Sequence, residues 1–288
     1  MPKKTDGKLP VSVLVNTLNE ETNIKNCLES LTWADEIIVV DMHSDDKTVE
    51  IARRYTKKIF YFKRMGYADP ARQFALGKAS HEWVLVIDAD ELVTKRMRDR
   101  IKDIMEKDLG DVIYFPQYIY FFGAPLKGTG FGPLQNLAPR FFKKSHMDFD
   151  DRVHVVFDIK KGARIYTVKD PDDGYLHLTF VDIEQYLDKF NKYTTIEAQN
   201  VFQGKKKKST FIRVLFAMVK TFIYRFIIKQ GFKDGFKGFY LTIMSMMYIF
   251  TAYAKGRIMT EYRSEEPRAI IKDRYDEIAR ATARELED

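Results

Sequence analysis

The sequence has a single cysteine, Cys27, so no intramolecular disulfide can form and a disulfide-stapled secreted scaffold is excluded. Cys27 lies in a helical pattern and reads as a packing residue in a chain suited to a reducing compartment. A long hydrophobic run is also missing. The uncharged stretch 238–254 falls short of the ~20 residues that a spanning helix needs. Near the start, the apolar run Val11 to Val15 is too short for a signal-peptide core, which places the N-terminal half on the cytosolic side. His43, His81, His146 and His177 show no metal-ligand spacing. What the chain does have is 45% hydrophobic and 14% aromatic residues, enough for a sizeable core. Its net charge of +7 calls for an anionic partner, whether nucleic acid, phospholipid head groups or a phosphorylated small molecule.

Apolar runs and helical periodicity alternate over the first hundred residues. "VSVLVNTL", "DEIIVVDMHSDD", "KIFYF" and "WVLVIDADELV" read as strands, separated by helices in "NEETNIKNCLESLTW", "KTVEIARRYT" and "ADPARQFALGKAS". That order predicts an α/β domain with a mostly parallel sheet and helices on both faces. Ligands then bind beyond the carboxyl ends of the strands, where Thr17, Asn19, Asp41, Ser44 to Asp46, Asp88 and Asp90 gather. The region from "DVIYFPQYIYFFG" to "RVHVVFDI" is aromatic and strand-rich, and is expected to complete the sheet and grip a second substrate.

Acidic residues at the end of "WVLVIDADELV" repel one another unless a cation sits among them. Side chains alternate along a strand, so the spacing puts Asp88 and Asp90 on one side, with the small Ala89 between them. Two hard oxygen donors can share a divalent cation whose shell is completed by phosphate oxygens. Glu91 reads as a supporting residue. A haloacid-dehalogenase-type phosphatase also places D-x-D after an apolar strand, but there the motif closes the first strand and continues with Thr or Val; here it closes the fourth and Glu91 follows.

In order and spacing, "VSVLVNTLNEETNIKNCLESL", "ADEIIVVDMHSDDKTVEIA" and "WVLVIDADEL" resemble the family 2 glycosyltransferases of GT-A (Rossmann-like) fold. "YFFGAPLKGTGFGPLQNLAPRFFKK", "RVHVVF" and "YLDKFNKYTTIEA" resemble more narrowly the lipopolysaccharide core β-glucosyltransferase (WaaE-like) branch. The resemblance spans roughly residues 9 to 257. It implies that Thr17, Asn19, Glu20, Asp41, Arg72, Asp88 and Arg140 line the nucleotide-sugar pocket. It further implies that Asp90 and His154 hold a divalent metal, Mn²⁺ or Mg²⁺. Met42 stands where many members have a second Asp for the base, and Val155 where the branch has a Glu. Inverting transfer needs a base for the acceptor hydroxyl, and the nearest carboxylates are Asp151, the preferred candidate, and Asp150.

A first domain is expected over 1–203 and a basic, apolar helical region over 204–288, divided at the "GKKKK" break. The helix "FIRVLFAMVKTFIYRFIIKQGF" carries Arg213, Lys220, Arg225 and Lys229, too many cations for a comfortable span, so two interfacial helices on an anionic membrane surface are expected. A buried helical hairpin is the alternative. The resulting expectation is an inverting, metal-dependent glycosyltransferase using a UDP-linked sugar and a membrane glycolipid acceptor at the cytoplasmic membrane face. Its rivals are a catalytically impaired scaffold and a basic nucleic-acid-binding protein.

Overall fold

The computed structural model describes residues 7–64, 69–149 and 157–285. They form two compact units, Met1–Thr179 and Phe180–Asp288. The first unit opens with β1 (Leu9–Thr17), α1 (Ile24–Glu29), β2 (Ala34–Asp41), α2 (Thr48–Ala52) and β3 (Ile59–Tyr61). There follow α3 (Asp69–Lys78), β4 (Trp83–Asp88), β5 (Glu91–Val93), α4 (Lys95–Lys107), β6 (Val112–Phe115), β7 (Gln117–Phe121) and β8 (Ala124–Pro125). β9 (Ala138–Lys143), β10 (Met147–Phe149), β11 (Phe157–Ile159), β12 (Ile165–Thr167) and β13 (Tyr175–Phe180) complete the strands.

Seven strands make the main sheet in the order β12-β6-β9-β4-β1-β2-β3, so β4 is central. The sheet is parallel from β3 through β4, as the alternating strands and helices predict. β9 then inserts antiparallel between β4 and β6. Alternation along β1 decides which layer each side chain joins. Val11, Val13 and Val15 pack with α1, α2 and α4, while Leu14 packs with α3 and the β10–β11 ribbon on the other face. β4 divides likewise, Leu85 and Ile87 to one layer and Val84 and Val86 to the other. A smaller sheet, β5-β13-β7-β8, begins three residues after β4 ends.

The expected strand through Asp90 therefore needs correction. β4 stops at Asp88, Ala89 and Asp90 form a turn, and Glu91 already belongs to the second sheet. Asp88 and Asp90 are related by a turn and not by strand alternation.

At the opposite end of the main sheet, Glu36 is buried and accepts bonds from Ser12, Lys58, and both the backbone N–H (2.8 Å) and hydroxyl (2.7 Å) of Ser80. Burial alone would raise its pKa, but these donors outweigh it and hold the carboxyl down to about 2. A depressed carboxyl stabilises the fold above its unfolded value and loses that contribution as pH falls through the folded one. The protein should therefore lose on the order of 3 kcal/mol between roughly pH 5 and pH 2 through this group. Urea unfolding across that range should show a shallower loss in Glu36→Gln. An identical slope would contradict the assignment.

The second unit contains α5 (Ile183–Phe202), α6 (Phe211–Phe222), α7 (Gly235–Tyr262) and α8 (Pro267–Glu285). α6 continues into a π-helical turn, Ile223–Ile228, and a 3-10 turn, Gly231–Asp234, leads into α7. The compositional break near 204 does not separate the two units, because α5 packs on α7 as α6 does; the contacts divide the chain at 179/180. Among the described residues no helix is long and apolar enough to cross a membrane.

Candidate functional site

The carboxyl edge of the sheet is set by strand register. Asn16 pairs with Asp88 across β1 and β4, and Thr17 with Asp41 across β1 and β2. Above this edge Asp88 receives Nη2 of Arg72 from α3 at 3.0 Å and Nη2 of Arg140 from β9 at 3.1 Å. Burial would raise its carboxyl, but the guanidinium groups of Arg72 and Arg140 hold it well below the usual range. Arg140 also reaches Glu91 at 2.7 Å and donates from Nε to the Tyr175 hydroxyl at 3.1 Å. Glu91 is fully buried and accepts the Asp88 backbone N–H at 2.8 Å, which fixes the turn after β4. Burial pushes Glu91 up to about 7, with Arg140 pulling the other way and the Asp88 charge adding to the rise. The edge thus carries two guanidinium groups braced by carboxylates, a geometry suited to a dianionic group such as a diphosphate.

Asp90 meets His177, whose Nε2 lies 3.2 Å from its Oδ2. β13 delivers the imidazole by pairing His177 with Glu91. Gln117 orients it. Its amide oxygen accepts from Asn136 at 3.0 Å, so its nitrogen points to Glu91 (3.2 Å) and to Nδ1 of His177 (2.8 Å). Nδ1 is then an acceptor, and Nε2 carries the proton given to Asp90, a tautomer assigned from the network.

Four buried polar atoms at this edge have no hydrogen-bond partner among the described residues: both side-chain atoms of Asn16, Oγ1 of Thr17 and Nη1 of Arg140. Buried polar groups are nearly always satisfied, so these atoms are available to a polar partner at this edge. Asn16 was not legible as a site residue because "VSVLVNTL" reads as core, and only the register places it beside Asp88.

The loops after β1 and β2 close on each other. Asn19 donates its backbone N–H to Ser44 (2.9 Å) and accepts that of Asp45 on its side chain (2.8 Å), while Glu20 donates its backbone N–H to Thr48 (2.8 Å). Asp41 is buried and accepts the backbone N–H and hydroxyl of Ser44 at 2.9 and 2.5 Å. In this structure Asn19, Glu20 and Asp41 hold the two loops together, Arg72 and Arg140 meet on Asp88, Asp90 meets His177, and Thr17 lies beside Asp41 on the neighbouring strand. Asp150, Asp151 and His154 lie outside the described residues. The imidazole that does stand beside Asp90 is His177, which sequence spacing had set aside. Among the described residues no group of three or more His, Cys, Asp and Glu side chains could hold a metal ion.

The glycosyl transferase family 2 model matches residues 12–160, from β1 past the β10–β11 ribbon, taking in Asn16, Arg72, Asp88, Asp90, Glu91 and Arg140. The chain belongs to glycosyl transferase family 2. As a family 2 glycosyltransferase it is 29% identical to an uncharacterized glycosyltransferase of Rickettsia typhi over 92% of this chain and 91% of that one. It is 28% identical to the lipopolysaccharide core biosynthesis glycosyltransferase LpsC of Rhizobium meliloti, over 86% of this chain and 92% of LpsC. Among solved structures, S. aureus TarS 1-349 in complex with UDP-GlcNAc superposes with a TM-score of 0.51 at 18% identity, covering 88% of this chain and 87% of TarS. That likeness establishes the shared fold, a mixed α/β GT-A-like architecture around a large central sheet. In such a fold the carboxyl edge of the sheet is the ligand edge, and it is here that the charged cluster lies.

Proposed function

We propose that this glycosyltransferase moves a sugar, with inversion, from a UDP-linked donor to a membrane glycolipid, a lipopolysaccharide core or polyprenol-linked glycan, at the cytoplasmic face of the membrane. The observation that carries the donor half is the Asp88 edge, where Arg72 and Arg140 stand beside unsatisfied Asn16, Thr17 and Arg140 Nη1. The acceptor half is supported by similarity to LpsC along most of both chains.

Arg72 and Arg140 answer the charge that builds on the departing diphosphate, and their prior bonding to Asp88 and Glu91 keeps them aimed without reorganisation. Glu91 and Tyr175 hold Arg140 from behind. Asn16 and Thr17 offer polar atoms to the donor from the strand below. A divalent ion, Mn²⁺ or Mg²⁺, fits here only as a guest of the donor: Asp90 would hold it, with His177 orienting that carboxylate through its Nε2–H, phosphate oxygens would complete its shell, and it would supply Lewis-acid neutralisation of the leaving group. Asp151 is the proposed base for the acceptor hydroxyl, with Asp150 beside it.

A panel of nucleotide sugars, incubated with the protein, Mn²⁺ and a bacterial membrane lipid extract, tests this reading. Radiolabel should pass from one UDP-sugar into lipid, and Asp151→Asn should lower turnover by roughly 10²–10⁴-fold with donor affinity retained. Absence of both transfer and donor hydrolysis across the panel would overturn the proposal.

A further inference from the structure

The second unit carries an apolar face that its own helices do not cover. α6 buries Val214, but Ile212, Phe216, Val219, Ile223 and Ile227 recur at helical spacing on another side and stay open to solvent, Phe216 by 72%. At the end of this stripe the chain turns, and Phe232 in the turn and Phe236 at the start of α7 stay open to solvent, Phe236 by 75%. Backbone constraints specify that turn. Gly235 has φ +57° and ψ −135°, a conformation open to glycine. A Cβ on Gly238 would lie 2.0 Å from the carbonyl oxygen of Gly231, so the turn sits directly on the first turn of α7. Behind it Phe226 packs against Phe222, Phe232 and Phe239. The protruding aromatics are therefore held in place by a packed base.

Charge selects the occupant. Between Glu197 and Asp234 the chain has nine Lys and Arg and no Asp or Glu. A second copy docking stripe to stripe would bring these cations against their own kind, since a two-fold interface apposes the same surface. A bilayer with anionic head groups neutralises them and takes up the aromatics at the same time.

We propose that the Ile212–Phe216–Val219–Ile223–Ile227 face, with Phe232 and Phe236 at its tip, docks in the headgroup layer of an anionic phospholipid bilayer, lying in the interface without crossing it. This deepens the reading of a membrane acceptor and rests on it, while the donor site on the first unit is independent.

Co-sedimentation of the full chain with phosphatidylcholine vesicles, with and without phosphatidylglycerol, tests the surface. The parent should bind the anionic vesicles, weaken with added salt, and bind the neutral ones at least about tenfold less. Phe216→Ser/Phe236→Ser should lose roughly tenfold or more in vesicle affinity, as should Lys205→Gln/Lys207→Gln/Lys208→Gln. Both variants should keep the parent's UDP affinity, which separates loss of docking from loss of fold or of the donor site. Three outcomes would overturn the proposal: no binding of the parent to anionic vesicles, unchanged binding by both variants, or a vesicle-free dimer abolished by Phe216→Ser. A parent that binds vesicles but no UDP would instead sink the donor reading and leave the docking surface standing.

Discussion

Arg140→Met is expected to destabilise the protein by about 3–5 kcal/mol, the usual cost of removing one partner from a buried ion pair. The reason is what it leaves behind. Glu91 is fully buried and has Arg140 Nη2 at 2.7 Å, while Asp88 has the same atom at 3.1 Å. Without the guanidinium, two carboxylates share a buried corner with Arg72 alone bonded to Asp88. The Tyr175 hydroxyl also loses its donor. Equilibrium urea unfolding measures this directly. Adding Glu91→Gln to Arg140→Met should recover part of the loss, because Glu91, already pushed up by burial, must otherwise take up a proton once Arg140 is gone, and glutamine removes that cost. If the single variant were as stable as the parent, or the double variant no better than the single, the bracing assigned to Glu91 would be wrong.

Asp90→Ala should behave in the opposite way, with little change in stability and a fall in transfer of roughly 10²–10³-fold, the scale typical for losing one group that stabilises transition-state charge. Asp90 sits in a turn, its side chain bonds to His177 at 3.2 Å, and its backbone carbonyl accepts from Leu178 at 2.9 Å whatever the side chain. Its loss removes the contact proposed for the donor and leaves the strand pairing intact. Initial rates of sugar transfer, with thermal unfolding as a control, separate the two effects. A variant that transfers sugar as fast as the parent would remove Asp90 from the site.

The parallel half of the sheet was legible because β1 and β4 are apolar runs with both faces buried, and the intervening helices show their own period. β9 was not, since "APRFFKK" carries no mark of its antiparallel insertion beside β4. Asp88, Asp90, Arg72 and Arg140 could be picked out from the motif and the family likeness. The partners that give them their chemistry could not. Glu91 joins Arg140 across 49 residues and His177 joins Asp90 across 87, and both contacts depend on the smaller sheet that starts after the Ala89–Asp90 turn. Local sequence holds no signal for that turn, because "WVLVIDADELV" alternates well enough to continue as one strand. The domain boundary was displaced for a related reason. The Lys205–Lys208 run marks a change in composition, but the packing of α5 on α7 places residues on both sides of it in one compact unit.

The central claim, a metal-assisted UDP-sugar site at the Asp88–Asp90 edge, is tested most directly by calorimetric titration of UDP into the parent and into Asp90→Ala, each with and without Mn²⁺. The parent should bind UDP and bind it more tightly with Mn²⁺, whereas Asp90→Ala should lose the metal-dependent gain. Equal UDP affinity in all four titrations, or no UDP binding by the parent, would contradict it.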